Sequence, residues 1–281
     1  MPPTVPPPRL HIIAARTEPV AIILRRGPSK WCHVLRHRTD TDELEPGSWF
    51  RGRIYQHRCD LSKDGRYMVY LAMGNKGQTW NGVCEPPRLT CLAQWETNGT
   101  WFGGGVWTGP RHLAVNLGRE MGKVPSFKPD FPSGQRPDIV FEQLEARYGG
   151  EDESILYERL ERDGWARQGP FGENVKLPGN QYQVRHDGDA GWLLKRSQDL
   201  PEIRLFFRGY LGGEGRRFEF QMPNHPAVLT PEVEWATWDC ADNLLVARKG
   251  RIERWIPSDF ARGNPSFVAN MAEFQPPTVV Q

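Results

Sequence analysis

Turn-forming residues punctuate this chain too densely for long helices. Its 29 glycines and 25 prolines make up 54 of 281 residues, a spacing that favours many short strands. The apolar runs between them are short: "VAIILRRG" (20–27) stops at Gly27-Pro28, and "KWCHVLRHR" (30–38) alternates closely enough to pair with it as a hairpin. A third strand is expected in "SWFRGRIYQ" (48–56). The chain therefore reads as a turn-rich, all-β protein, and all-β domains reach this length as one unit. Five prolines within the first nine residues predict an extended arm over 1–17, ahead of a single β-rich domain over 18–281.

One segment departs from the β pattern. "GREMGKVPSFKPDFPSGQRP" (118–137) is a Pro/Gly-rich loop, and "DIVFEQLEARYGG" (138–150) is predicted as a helix. Pro137 suits a first helical turn, Phe141, Leu144 and Tyr148 share a face, and Gly149 is a stop signal. Together they predict a loop-and-helix insertion at about 118–150.

Several stretches place an apolar strand beside a tight turn. In "CDLSKDGRYMVYLAMG" (59–74) the turn signal is Asp64-Gly65, and Tyr67, Val69 and Leu71 share one strand face. The same plan recurs in "LTCLAQWETNGTWFGGGVW" (89–107) at Asn98-Gly99, and in "VEWATWDCADNLLVARKGRIERW" (233–255) at Asp242-Asn243 and Lys249-Gly250. This resembles the blades of TolB-type and WD40-type β-propellers, in which S-P-D-G precedes the strand; Lys63 stands here where those blades carry proline. The resemblance implies a degenerate propeller, with Trp235 and Trp238 framing a blade strand. It also implies that Asp239 joins a hydrogen-bond network pinning the turns, as the aspartate near the Trp-Asp end does in WD40 blades. A propeller repeats about every 40 residues, whereas the turn anchors at 64, 98, 163 and 187 are spaced by 34, 65 and 24. A β-sandwich or barrel built from ordinary hairpins is the alternative.

Charge and cysteine content narrow the function classes. A net charge of +2 gives no bulk field that singles out nucleic acid or an anionic membrane, and no run reaches the roughly 18 apolar residues of a membrane span. Arginine outnumbers lysine, 28 to 8, as in a GC-rich, bacterial coding genome. Cys32, Cys59, Cys84, Cys91 and Cys240 are odd in number and lack CxxC spacing, which favours free thiols in a reducing cytoplasm.

Motif by motif, little chemistry emerges. "GREMGKV" (118–124) is too short for a phosphate-binding P-loop and ends in Val124. "GGGVWTG" (103–109) opens no helix, as a dinucleotide site would. "DGDAG" (187–191) lacks the closing glutamate of a calcium loop, since Gln198 stands there. There is no G-x-S-x-G elbow, and Cys84 with His112 would have to meet through space. Zinc-ligand residue types do gather on neighbouring strands: His33 and His37 on one face of their strand, His57 and Cys59 on the next. Beside that metal reading stands the simpler one, that histidines flanked by arginines are exposed. Finally, "RLFFRGYLGGEGRRFEF" (204–220) interleaves Arg204, Arg208, Arg216 and Arg217 with Phe206, Tyr210 and further aromatics, a combination that can stack and neutralise a single-stranded nucleic acid. A plain hairpin with arginines outward is favoured over it.

The expected function is a non-enzymatic protein-interaction module within a larger cytoplasmic assembly, with no cofactor and with 204–220 as its interaction patch. The alternatives are a propeller-type hydrolase with a central acidic/His pocket, and single-strand binding through that patch.

Overall fold

Four β-sheets follow one another in chain order. The computed structural model describes residues 5–27, 30–97, 99–117, 137–145, 147–148, 150–168, 173–176, 182–186, 191–210 and 217–278, with backbone alone at 173–176, 182–186, 208–210 and 217.

The first sheet contains β1 (Arg9–Ala14), β2 (Val20–Arg26), β3 (Trp31–Arg38), β4 (Glu43–Ile54), β5 (Asp60–Leu61), β6 (Met68–Gly74), β7 (Thr79–Cys84) and β8 (Cys91–Glu96). Its order is β1-β2-β3-β4-β6-β7-β8, with β5 beside β6. The apolar run of β2 is continuous because both its faces are buried: Ala21 and Ile23 enter one core, Ile22 and Leu24 a second. β4 is long because it serves two partners, β3 up to Arg51 and β6 from Gly52 onward. At that switch only glycine fits, since a Cβ on Gly52 would lie 2.3 Å from the Met73 carbonyl oxygen. The two halves of the sheet thereby share the second core, to which β2 sends Ile22 and β6 sends Met68 and Tyr70. On its other face β6 places Val69 in a third core, shared with the second sheet.

That second sheet is β9 (Gly105–Trp107), β10 (His112–Val115) and β11 (Val140–Gln143). Helix α1 (Glu153–Arg162) leads into the third sheet, β12 (Ala166–Gln168), β13 (Glu173–Lys176), β14 (Tyr182–His186), β15 (Gly191–Leu194), β16 (Ile203–Tyr210) and β17 (Arg217–Gln221). The fourth sheet is β18 (Val233–Trp238), β19 (Leu244–Arg248), β20 (Arg251–Trp255) and β21 (Phe267–Asn270), with α2 (Asp259–Arg262) between the last two strands. The largest core joins β1, β2, α1 and the third and fourth sheets.

The protein is thus predominantly β. Neither a closed propeller nor a closed barrel is shown among the described residues, and the sheets hold eight, three, six and four strands. Two expectations are corrected. Part of the expected arm is strand β1, whose Leu10 and Ile12 are buried; these apolar residues gain a full antiparallel ladder against β2. The helix predicted at 138–150 is a strand over Val140–Gln143, paired in parallel with β10. Ile139 and Phe141 join the third core there, so tertiary pairing outweighs the helical spacing. The nearby helix lies at Glu153–Arg162, where Ile155, Leu156 and Leu160 are buried. Of the loop expected over 118–137, residues 118–136 lie outside the described residues.

Two of the expected turns have their hydrogen bonds in place, whereas Asn98 of the expected Asn98-Gly99 turn lies outside the described residues. Gly65 adopts φ 73°, while Asp64 Oδ1 accepts from the Ser62 hydroxyl at 2.6 Å and the Arg66 N–H at 3.1 Å. After β18, the buried Asp239 accepts from the N–H groups of Ala241 and Asn243 and from Asn243 Nδ2, each at 2.9 Å. Trp235 and Trp238 are both buried. Asp239→Ala leaves these donors without their acceptor, and a loss of about 2 kcal/mol is expected in urea unfolding; a change within experimental error would show that water replaces the carboxylate at no cost.

Candidate functional site

Where β1, the C-terminal end of α1, the end of β15 and β18 meet, they enclose a cleft of about 370 Å³. The α1 wall ends at Gly164, whose φ of +89° only glycine adopts freely, and Trp165 then turns back to donate its N–H to the Leu160 carbonyl at 2.9 Å. Trp165, Trp235 and Trp238 give the cleft its aromatic surface, and Arg16, Arg159, Arg162, Lys195 and Arg196 its charge.

Among the described residues, three carboxylates answer those five cations. Asp60, fully buried on β5, accepts from the Trp107 N–H at 2.7 Å and from Arg162 Nη2 at 3.1 Å, and lies 3.6 Å from Arg159 Nε. Asp163 pairs with Arg162 at 2.8 Å, and Asp242 with Arg196 at 2.6 Å. Burial pulls the Arg159 guanidinium below its ordinary value, an effect Asp60 opposes. For Arg162 burial acts the same way, but Asp60 and Asp163 outweigh it and raise the value.

Arg16 and Lys195 have no carboxylate within ion-pair distance among the described residues. Among the described residues, neither the enclosed Arg16 Nε nor the indole N–H of the buried Trp238 has a hydrogen-bond partner. Burial, and then the nearby Arg162, lowers the Arg16 value. The cleft thus presents unused donors and surplus positive charge.

Behind Arg159 lies a histidine pair. The ring of His11 on β1 packs 4.2 Å from Trp235 and 5.2 Å from His57. His57 Nδ1 is 3.2 Å from Asp152, which also faces Arg58 Nε at 3.4 Å. Burial, reinforced by His57 and Arg159, pushes His11 well below the usual 6.5, so it is neutral at pH 7. Cys59, two residues beyond His57, donates its buried thiol to the Tyr55 carbonyl, and burial pushes that thiol up to about 12.

The four suggested metal ligands are not brought together. His33 stacks on Trp49 at 4.1 Å, and His37 stacks on Phe267 with Asp42 3.5 Å away, whereas His57 turns to Asp152 and Cys59 to Tyr55. Among the described residues, no three His, Cys, Asp or Glu side chains are grouped to hold a metal ion. Both β3 histidines are buried, not exposed, because aromatic rings cover them. Cys84 and His112 are also apart: the thiol is buried, and the imidazole is exposed beside Glu142.

Of the expected interaction patch, Arg204 is exposed but held by Glu202 at 2.6 Å, and Phe206 is half-buried. Arg208 and Tyr210 belong to β16 and Arg217 to β17, where only the backbone is described; Arg216 lies outside the described residues. The two strands form an antiparallel hairpin with Phe207 and Phe220 buried.

No protein family matches the sequence, and no curated protein does. A solved structure with some similarity is that of the uncharacterized protein lmo1340 from Listeria monocytogenes EGD-e. It is 9% identical, with 89% of this chain and 81% of that one covered, at a TM-score of 0.33, too slight a likeness to bear on fold or activity.

Sequence reasoning passed over the cleft. Arg159 and Arg162 are three apart on α1, a spacing that places both on one helix face, and recognising "ESILYERLER" as a helix would have revealed that pair. Arg16 is a single cation in its stretch and Lys195 merely adjoins Arg196, so neither carries a local signature.

Proposed function

We propose that the protein is a non-enzymatic binding module whose working site is the tryptophan-lined cleft, and that its ligand carries an anionic group. The observation behind this reading is the set of unused donors: the Arg16 guanidinium, the Lys195 ammonium and the Trp238 indole N–H, with no free carboxylate beside them among the described residues. An anion free in solution or borne by an acidic side chain of a partner protein meets the same donors, so the interaction-module reading takes this form. The meander β18–β21, antiparallel and of blade size, is the part of the chain on which a degenerate propeller is proposed. Five free thiols support a reducing cytoplasm as the compartment.

Tryptophan fluorescence and calorimetry with inorganic phosphate and citrate as probes test the reading. Binding that weakens with salt is expected, and Arg16→Ala or Lys195→Ala should each reduce affinity about tenfold, the equivalent of one charge-assisted hydrogen bond at about 1.4 kcal/mol. Arg204→Ala, outside the cleft, should leave it unchanged. Absence of binding by either probe, or binding indifferent to both cleft variants, would refute it.

A further inference from the structure

Cys84 closes β7 and Cys91 opens β8, and the two are directly opposed across the antiparallel pair, just past a register shift in the ladder. Both pack with Tyr70 into the second core, so their side chains share one face of the sheet. Opposed residues in such ladders have Cα atoms about 4.5–5.5 Å apart, inside the roughly 4.4–6.8 Å that disulfides span. The two thiols differ in access. Cys84 is wholly buried, whereas Cys91 is half-exposed and borders a separate pocket of about 250 Å³ lined by Phe50, Trp80, Leu89 and Tyr70. The Tyr70 hydroxyl lies 2.8 Å from the Cys91 sulfur, forming a hydrogen bond that orients it.

From this geometry we propose that Cys84 and Cys91 are an oxidative modification site, closing a reversible cross-strand disulfide on reaction with a low-molecular-weight disulfide such as oxidised glutathione. The Cys91 thiolate attacks one sulfur of the reagent, breaking its S–S bond and releasing one thiolate. Cys84 then attacks the Cys91 sulfur and displaces the second thiolate, which takes up the Cys84 proton as it leaves. Two protein thiols lose two electrons in total, and the reagent is reduced to two thiols. Burial raises the Cys84 value well above that of an ordinary thiol, which makes Cys91 the first to react and closure the slower step.

The test uses the full chain incubated with oxidised glutathione, followed by intact mass and peptide mapping. The expected product is lighter by two hydrogens, links 84 to 91, loses two of the five titratable thiols, and reverts with dithiothreitol. Cys84→Ala should instead retain one glutathionyl group on Cys91, and Cys91→Ser should yield no link at residue 84. A wild-type chain that stays fully reduced, keeps a glutathionyl group on Cys91, or links any other pair would overturn the proposal. Circular dichroism of each variant separates a lost thiol from a lost fold, and the wild-type product needs no variant for its interpretation.

Discussion

Asp60→Asn is expected to destabilise the folded chain by about 3–5 kcal/mol, the range for removing one partner of a buried ion pair. The reason is the company Asp60 keeps. It is the fully buried carboxylate between two guanidiniums, those of Arg159 and Arg162, whose own side chains are 5% and 15% exposed. Neutralising it leaves two enclosed cations that, among the described residues, have Asp163, on Arg162, and backbone carbonyls to answer them. Asparagine can still accept the Trp107 N–H, so the hydrogen bond at 2.7 Å survives while the charge does not. Urea unfolding at pH 7, followed by tryptophan fluorescence, measures the difference. A loss below about 1 kcal/mol, the size of a surface pair, would mean that water reaches the triad and solvates the arginines. The same variant should weaken α1 against β5, since Arg162 bridges Asp60 to Asp163.

Acid is expected to destabilise the protein well before its carboxylates titrate. Burial is the first cause holding His11, His33 and His37 below their ordinary value of 6.5. For His33, whose value falls to about 4, Arg25 adds to the effect and the Gly47 backbone opposes it; for His37, Asp42 opposes it. In each case the unfolded chain takes up the proton first. Stability is therefore complete above about pH 7, begins to fall as pH drops through 6.5, and continues falling to about pH 4, where folded His33 itself titrates. His33 alone accounts for about 2 kcal/mol at pH 5, because each tenfold difference in proton affinity between the unfolded and folded chain is worth about 1.4 kcal/mol. His11 and His37 act in the same direction. Asp259 extends the loss to lower pH: burial raises its value, but hydrogen bonds from Ser266 and the Ile256 N–H outweigh this and depress it. Urea midpoints at pH 7 and pH 5 check the slope, and His33→Gln should remove the part due to that ring. Equal stability at the two pH values would show that the histidines are hydrated.

These two results concern residues whose importance is unequally visible in the sequence. His33 and His37 stand out by type, but their arginine neighbours suggest exposure. The approach of Trp49 and Phe274 to His33 and of Phe267 to His37 buries them. Asp60 looks like any turn-flanking aspartate until α1, about a hundred residues later, lays two arginines across it.

What the chain determined by itself is what lies within a few residues. Turn punctuation and short apolar runs define the β class, the pairing of β2 with β3, the Asp64-Gly65 turn, and a Trp-framed strand pinned by Asp239. In each, the partners are neighbours and little loop entropy stands between pattern and contact. Tertiary structure decided the rest. Residues 140–143 are strand because β10 offers a free edge and the third core takes Ile139 and Phe141. The cleft exists because Arg16, Arg159, Lys195 and Trp238, from four separate elements or their ends, are brought around one cavity. Charge surplus is a property of that assembled lining: in sequence each cation has its own surroundings, and only folding reveals which of them lack a carboxylate.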